Sequence, residues 1–298
     1  MAKLSMFEEV KRNNLYSNFL IVGFVLLIGL LGSVIGLLYD SMWAGIIISV
    51  VAALLYVMIS LSAGTSMVMA FSGARQVTKK EYPHLYHTVE GLAIAAGLPV
   101  PKTYVIEDSA LNAFATGTSP ENAAIAVTTG LMEKLNRQEL EGVVAHEMSH
   151  IKNLDIKYML LVAVLVGIVT LLADFLLRSF LWGGKGGRRS EKGGNLQMIL
   201  IIVGIVLAIL SPIFVQLIKL AISRKKEYAA DAGAAILTRY PPGLASALKK
   251  ISKDPDPLVD TANKATAHLY ISDPFRKAAG LFTTHPPIED RIKRLESM

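Results

Sequence analysis

The chain has 298 residues, 52% of them hydrophobic and 18% charged, with a mean hydropathy of +0.46; these proportions exclude an ordinary soluble enzyme and put much of the chain in lipid. A formal charge of +6 raises nucleic acid as a partner. However, the basic residues cluster beside apolar segments with no aromatic-interleaved basic surface, which points to anionic lipid head groups and away from nucleic acid.

Two apolar stretches come first, at about 19–38 and 43–71, each near or above the ~20 residues needed to cross a bilayer. The first is too long, and too quickly followed by the second, to be a cleaved signal peptide. Within it Gly32 and Gly36 form a small-xxx-small pair, more often an ordinary membrane glycine pair than a dimer face. A soluble unit follows over 73–157, with a helix at 81–98 entered at Pro83 and short strands at 103–107, 112–116 and 123–128. The next helix opens at Asn136 as N-cap, with Glu139 three positions on to close a capping box, and Leu140, Val143, Val144 and Ser149 form its buried side.

That helix carries His146-Glu147-Met148-Ser149-His150. Histidines four residues apart sit about 40° apart around a helix axis, close enough to hold one zinc ion. The intervening Glu147 is placed to act as general base on a water activated there. With no cysteine in the chain, the remaining zinc ligand must come from a carboxylate or another histidine.

Two more apolar stretches come next, at 158–182 and 196–222. Asp174 and Arg178 pair along the third, while Pro212 kinks the fourth and Lys219 reaches back from its end to the interface. Between them, 183–194 is a flexible Gly-rich basic loop. The chain then resumes a soluble helical pattern over 223–298, including a helix at 242–251 and a last one opening at Pro286-Pro287 and running through Arg291 and Leu295. In this part Glu227 can ligate the metal as the third protein ligand. Asp231, one turn further on, accepts a hydrogen bond from the outer nitrogen of a zinc-bound histidine. The alternative for both carboxylates is a solvated helix face beside Arg224, Lys225 and Lys226.

His146, His150 and Glu227 meet only if the third and fourth stretches leave the membrane on the side they entered. Four units follow: an N-terminal segment and membrane hairpin at 1–72, the first part of the catalytic domain at 73–157, a second membrane hairpin at 158–222, and the rest of the domain at 223–298. Lys3, Lys11 and Arg12 before the first stretch, with Arg75, Lys79 and Lys80 after the second, favour a cytoplasmic catalytic side. Lys185, Arg188, Arg189 and Lys192 in the Gly-rich loop argue the other way, unless the second hairpin enters the bilayer without crossing it.

Taken together, these features resemble the HtpX-like membrane zinc metalloproteases, which are related to the CAAX prenyl endopeptidases. The resemblance covers nearly the whole chain and includes Ser109-Ala110-Leu111-Asn112-Ala113-Phe114-Ala115-Thr116-Gly117, Asp155 beyond His150, and Thr284-His285-Pro286-Pro287. It implies an α-helical membrane protein with four transmembrane helices and an α+β, gluzincin-like protease domain split by a membrane hairpin. The implied activity is zinc-dependent cleavage of damaged or misassembled membrane proteins in the cytoplasmic membrane. By the same resemblance, Asn112 lies on the strand that receives the substrate backbone, or is a buried turn residue. His285 helps to stabilise the oxyanion beside Glu147, or merely precedes a helix. His84, His87 and His268 have no ligand spacing. CAAX-type processing is an alternative activity, a membrane scaffold or transporter with an inert metal site is an alternative without chemistry, and homo-oligomerisation stays open.

Overall fold

A computed structural model describes residues 6–37, 39–165, 167–168, 223–255, 269–271 and 286–298. The fourth apolar stretch and all but the start of the third lie outside the described residues. The chain opens with two long antiparallel helices, α1 (Met6–Leu37) and α2 (Met42–Phe71). Apolar lengths of 28 residues in α1 (Val10–Leu37) and 30 in α2 (Met42–Phe71) are enough to cross a membrane. Phe19, Leu26, Leu30, Ile48 and Met58 point outward from the pair, as lipid-facing side chains do. Helix α1 begins well before Phe19 because no Gly or Pro interrupts the polar stretch from Glu8 to Asn14, and because Asn13 and Ser17 are buried against protein. Gly32 and Gly45 let the two helices touch at the backbone: a Cβ on Gly32 would meet Ser49 Oγ at 2.0 Å, and one on Gly45 would meet Gly32 O at 2.2 Å. The small-residue pair therefore serves the hairpin itself.

After a short strand β1 (Arg75–Gln76) come α3 (Pro83–Ala96), β2 (Lys102–Ile106), β3 (Ala113–Thr116) and β4 (Ala124–Thr128). The sheet order is β1-β2-β4-β3, with β2 and β4 parallel and the other pairs antiparallel. Alternation of side chains divides its two faces between two cores. Val105, Ala113, Ala115, Ile125 and Val127 face the core built on α3 and on α5 (Arg137–Lys152). Ile106, Phe114, Ala124 and Ala126 face the core shared with the membrane helices and with α6, the helix over 155–165. The sheet is thus a plate between α3 and α5 on one face and the foot of the α1–α2 hairpin with α6 on the other, and β4 is buried along its whole length.

A short α4 (Thr129–Lys134) leads into α5. The capping box is formed: Asn136 Oδ1 accepts from Glu139 N at 3.0 Å, and Glu139 Oε2 accepts from Asn136 N at 2.8 Å. Leu140, Val143, Val144, Met148 and Ile151 are buried, each adding about 1.5–3 kcal/mol of apolar burial. Helix α5 stops at Asn153, and Leu154 takes the left-handed conformation with φ 56°. A leucine is strained there, and the turn brings Asp155 back beneath His150. Helices α7 (Arg224–Thr238), α8 (Pro241–Ser252) and α9 (Ile288–Glu296) complete the domain. The close contact of α8 rests on Gly142 of α5, where a Cβ would meet Leu244 N at 2.6 Å.

Candidate metal centre

The helical register of α5 puts His146 and His150 one above the other, both buried. Their rings are nearly perpendicular, at 88° with centroids 4.8 Å apart, and the two Nε2 atoms approach to 3.2 Å. Glu227, in the first turn of α7, supplies the third side: Oε1 lies 3.6 Å from His150 Nε2 and Oε2 lies 3.8 Å from His146 Nε2. Candidate ligand atoms of the three residues all lie within 4.8 Å of one another. Tetrahedral zinc with bonds of about 2.0–2.1 Å requires ligand atoms about 3.3 Å apart, so this set is close to that spacing. The close approach of α7 depends on Gly233, where a Cβ would meet Ser149 Oγ at 2.4 Å.

Each ring is braced from behind. His146 Nδ1 lies 3.0 Å from Asp231 Oδ1, as expected for the carboxylate one turn beyond Glu227. His150 Nδ1 lies 3.0 Å from Asp155 Oδ2. When both Nδ1 atoms donate to carboxylates, both Nε2 atoms turn lone pairs inward toward the Glu227 carboxylate, and this all-acceptor set suits a cation. Burial and the neighbouring Arg291 lower the His146 pKa. Burial also disfavours charge on His150, yet Asp155, Glu227 and Glu147 together raise its pKa to about 9, so this corner of the site attracts positive charge. The solvated alternative for the α7 face does not hold, because Lys226, Glu227 and Asp231 are all buried.

Two residues at the site carry roles that the sequence reading did not assign. Arg291, fully buried on α9, grips Asp231 with Nε at 2.9 Å and Nη2 at 2.7 Å, and its Nη1 lies 3.2 Å from Glu227 Oε2. The only sequence signal is its position: three residues after Ile288 and four before Leu295, it occupies the core side of its helix. Asp155, five residues beyond His150, belongs to the family pattern in sequence, and the fold makes it the brace of His150.

Glu147, between the two histidines in sequence, is buried and accepts a hydrogen bond from the Ala115 backbone N–H of β3. Burial pushes its carboxyl up to about 7, with Glu227 adding to the rise and His150 and Ala115 N–H opposing it. Asn112 lies just before β3 and is buried, its N–H donating to Thr128 Oγ1 at 3.1 Å and its Oδ1 accepting from Ala113 N at 3.1 Å. On β3, at the end of the sheet order, Ala113 O also accepts from Ile271 N at 2.9 Å. His84 and His87 are exposed, while His268 and His285 lie outside the described residues.

Comparison with known proteins agrees with this geometry. Residues 79–298 match the pattern of peptidase family M48. The chain is 43% identical over 298 residues to a protein named Protease HtpX homolog from Thermoanaerobacter pseudethanolicus, covering 100% of this chain and 99% of the relative. A protein of the same name from Dictyoglomus thermophilum is 53% identical over 233 residues, covering 78% of this chain and 75% of that one. Among solved structures, the crystal structure of S. mikatae Ste24p superposes with a TM-score of 0.50 at 18% identity, over 98% of this chain and 66% of that one. That likeness is one of fold.

Proposed function

The chain belongs to peptidase family M48 and is a membrane-associated metalloprotease, and from this premise we propose that it works with one zinc ion held by His146, His150 and Glu227. The observation that carries the reading is the convergence of those three buried side chains within 4.8 Å, with Glu147 on the same helix as the two histidines. When bound, zinc supplies Lewis acidity that polarises the scissile carbonyl and makes a water easier to deprotonate. Glu147, held by the Ala115 N–H, takes the proton of the attacking water and passes it to the leaving amine. Asp231 and Asp155 keep the histidine rings in register, and Arg291 offsets the charge that Asp231 and Glu227 bring into the interior. His285 supplies a donor to the oxyanion, a role that rests on the family pattern at Thr284-His285-Pro286.

The substrate is an extended polypeptide that pairs with β3 beside Asn112. At Ala113 it meets a carbonyl already bonded by Ile271 N, so productive binding has to displace that bond. We assign the protein to membrane protein quality control in the cytoplasmic membrane, with four crossings, the units 1–72, 73–157, 158–222 and 223–298, and the catalytic side in the cytoplasm. The 3.6 Å approach of Glu227 to His150, from opposite ends of the second apolar pair, supports an even number of crossings between them.

Glu147→Gln tests the chemistry directly. Zinc content should stay at the wild-type level while cleavage of an unfolded substrate such as casein, assayed on protein in detergent, falls by at least about a hundredfold. Loss of the metal, or retained cleavage, would refute the assignment of Glu147 as base.

A further inference from the structure

The polar foot of α1 reaches into the metal centre. Asn13 is buried there, and its side-chain amide places both hydrogens on the segment that follows α5: Nδ2 donates to Asn153 O at 3.0 Å and to Asp155 Oδ1 at 2.8 Å. The other oxygen of that carboxylate, Oδ2, lies 3.0 Å from His150 Nδ1. Lys226 Nζ lies 3.2 Å from Oδ1, so Asp155 is held by residues from α1, α5 and α7. Lys226 balances its charge, but a flexible ammonium sets no orientation. A planar amide with one hydrogen on the backbone and one on the carboxylate does. The rest of the α1 foot is seated by contacts that do not reach Asp155: Lys157 Nζ donates to Asn14 Oδ1 at 2.9 Å, and the Tyr16 and Tyr158 rings lie 6.0 Å apart.

We propose that Asn13 is a positioning residue for the metal centre, fixing the His150 ring through Asp155, so that the first membrane helix is a working part of the catalytic apparatus as well as its anchor. This rests on His146, His150 and Glu227 being the zinc site. One consequence is that a catalytic unit lacking α1, or with α1 unseated from 153–158, holds its metal poorly even when its own core is intact.

The test uses the full chain in detergent or nanodiscs and compares wild type with Asn13→Ala, Asn14→Ala, Asp155→Asn and the double variant Asn13→Ala/Asp155→Asn. Zinc retention against a chelator series, kcat and KM on casein, and the visible spectrum of the Co2+-substituted protein are read for each. Asn13→Ala should lose roughly three- to tenfold in zinc affinity and in kcat with KM held, somewhat less than the 10–100-fold typical of a group touching a metal ligand directly. Its Co2+ bands should shift in the same direction as those of Asp155→Asn. The double variant should be no worse than Asp155→Asn alone, because the two residues act in series. Asn14→Ala should leave all three readouts unchanged. Should the alanine variant fail to accumulate, Asn13→Ser, which keeps a donor of shorter reach, should show the same changes in smaller measure.

An Asn13→Ala protein with wild-type metal affinity and spectrum would overturn the proposal. So would equal losses in Asn13→Ala and Asn14→Ala, or losses that add in the double variant. A wild type that binds no zinc would instead bring down the metal centre itself.

Discussion

Glu227 and Asp231 sit one turn apart on α7 and share Arg291, but Glu227 faces the Nε2 atoms of both histidines while Asp231 backs His146 Nδ1, so their replacement should separate holding the metal from orienting its ligands. Glu227→Ala removes one of three candidate ligands and should abolish both zinc binding and cleavage, because two histidines alone hold zinc weakly. Asp231→Ala leaves the three ligands in place and frees the His146 ring, so zinc affinity or activity should fall by about 10–100-fold. Zinc titration of the two variants checks both; a metal-free Asp231→Ala beside a metal-bound Glu227→Ala would reverse the assignment. The convergence of Glu227 and Asp231 on the two histidines was legible in the residues, since a helix with known ligand spacing limits which carboxylates have to be found. Arg291 was not, because its partners Asp231 and Glu227 lie far away in sequence and only the folded domain brings them together. Lys226 was misleading for a related reason: in a run with Arg224 and Lys225 it reads as solvated, whereas the fold turns it under Tyr158 and onto Asp155.

At the level of elements, the metal centre depends on how α5 is started and on how closely α7 lies against it. Glu139 closes the α5 cap and also meets Lys250 Nζ at 2.7 Å and Ser246 Oγ at 2.6 Å. Burial works against its charge, but those partners and the Asn136 N–H outweigh it and hold the carboxyl below its ordinary value. A depressed folded-state pKa means that the stabilisation is complete above the ordinary carboxylate range and is lost as pH falls through the lower folded value. Glu139→Gln should therefore lower Tm by roughly 2–4 °C at pH 7, and the gap from wild type should close in acid; a gap that stayed constant down to about pH 3 would exclude the ionised carboxylate as its source. At the other contact, Gly233→Val drives a side chain into Ser149, at a cost of about 1–3 kcal/mol in overpacking. Helix α7 should retreat from α5 with Glu227 upon it, so zinc affinity should fall without loss of helical content by circular dichroism. Gly233→Ala combined with Ser149→Gly should restore the metal. The strands and the α5 cap could be read from local pattern because alternation and capping are local. The sheet order could not, since β3 pairs with β4 at the end of the order and β2 joins β4 only across the folded plate.

The whole molecule has to satisfy one constraint that no single element states: a site shared by α5 and α7 must be reassembled after the chain has passed through 158–222. If the second apolar pair enters the membrane as proposed, the buried contact between His150 and Glu227 requires it to leave on the side it entered. Basic residues at Lys3, Lys11 and Arg12, then Arg75, Lys79 and Lys80, favour the cytoplasm for that side, whereas the Gly-rich loop would carry Lys185, Arg188, Arg189 and Lys192 to the opposite side if the pair crosses fully. The early charges should prevail, because the first spans usually set orientation and a site divided between α5 and α7 implies a paired crossing between them. Native cysteine is absent from the chain, so single cysteines report position without background. Ser190→Cys should react with an impermeant thiol reagent on intact cells, and Ser119→Cys should react only after permeabilisation. Labelling of both only after permeabilisation would make the second pair a re-entrant hairpin that keeps its basic loop inside. Labelling at residue 119 from outside would overturn the orientation and place the protease on the other face of the membrane.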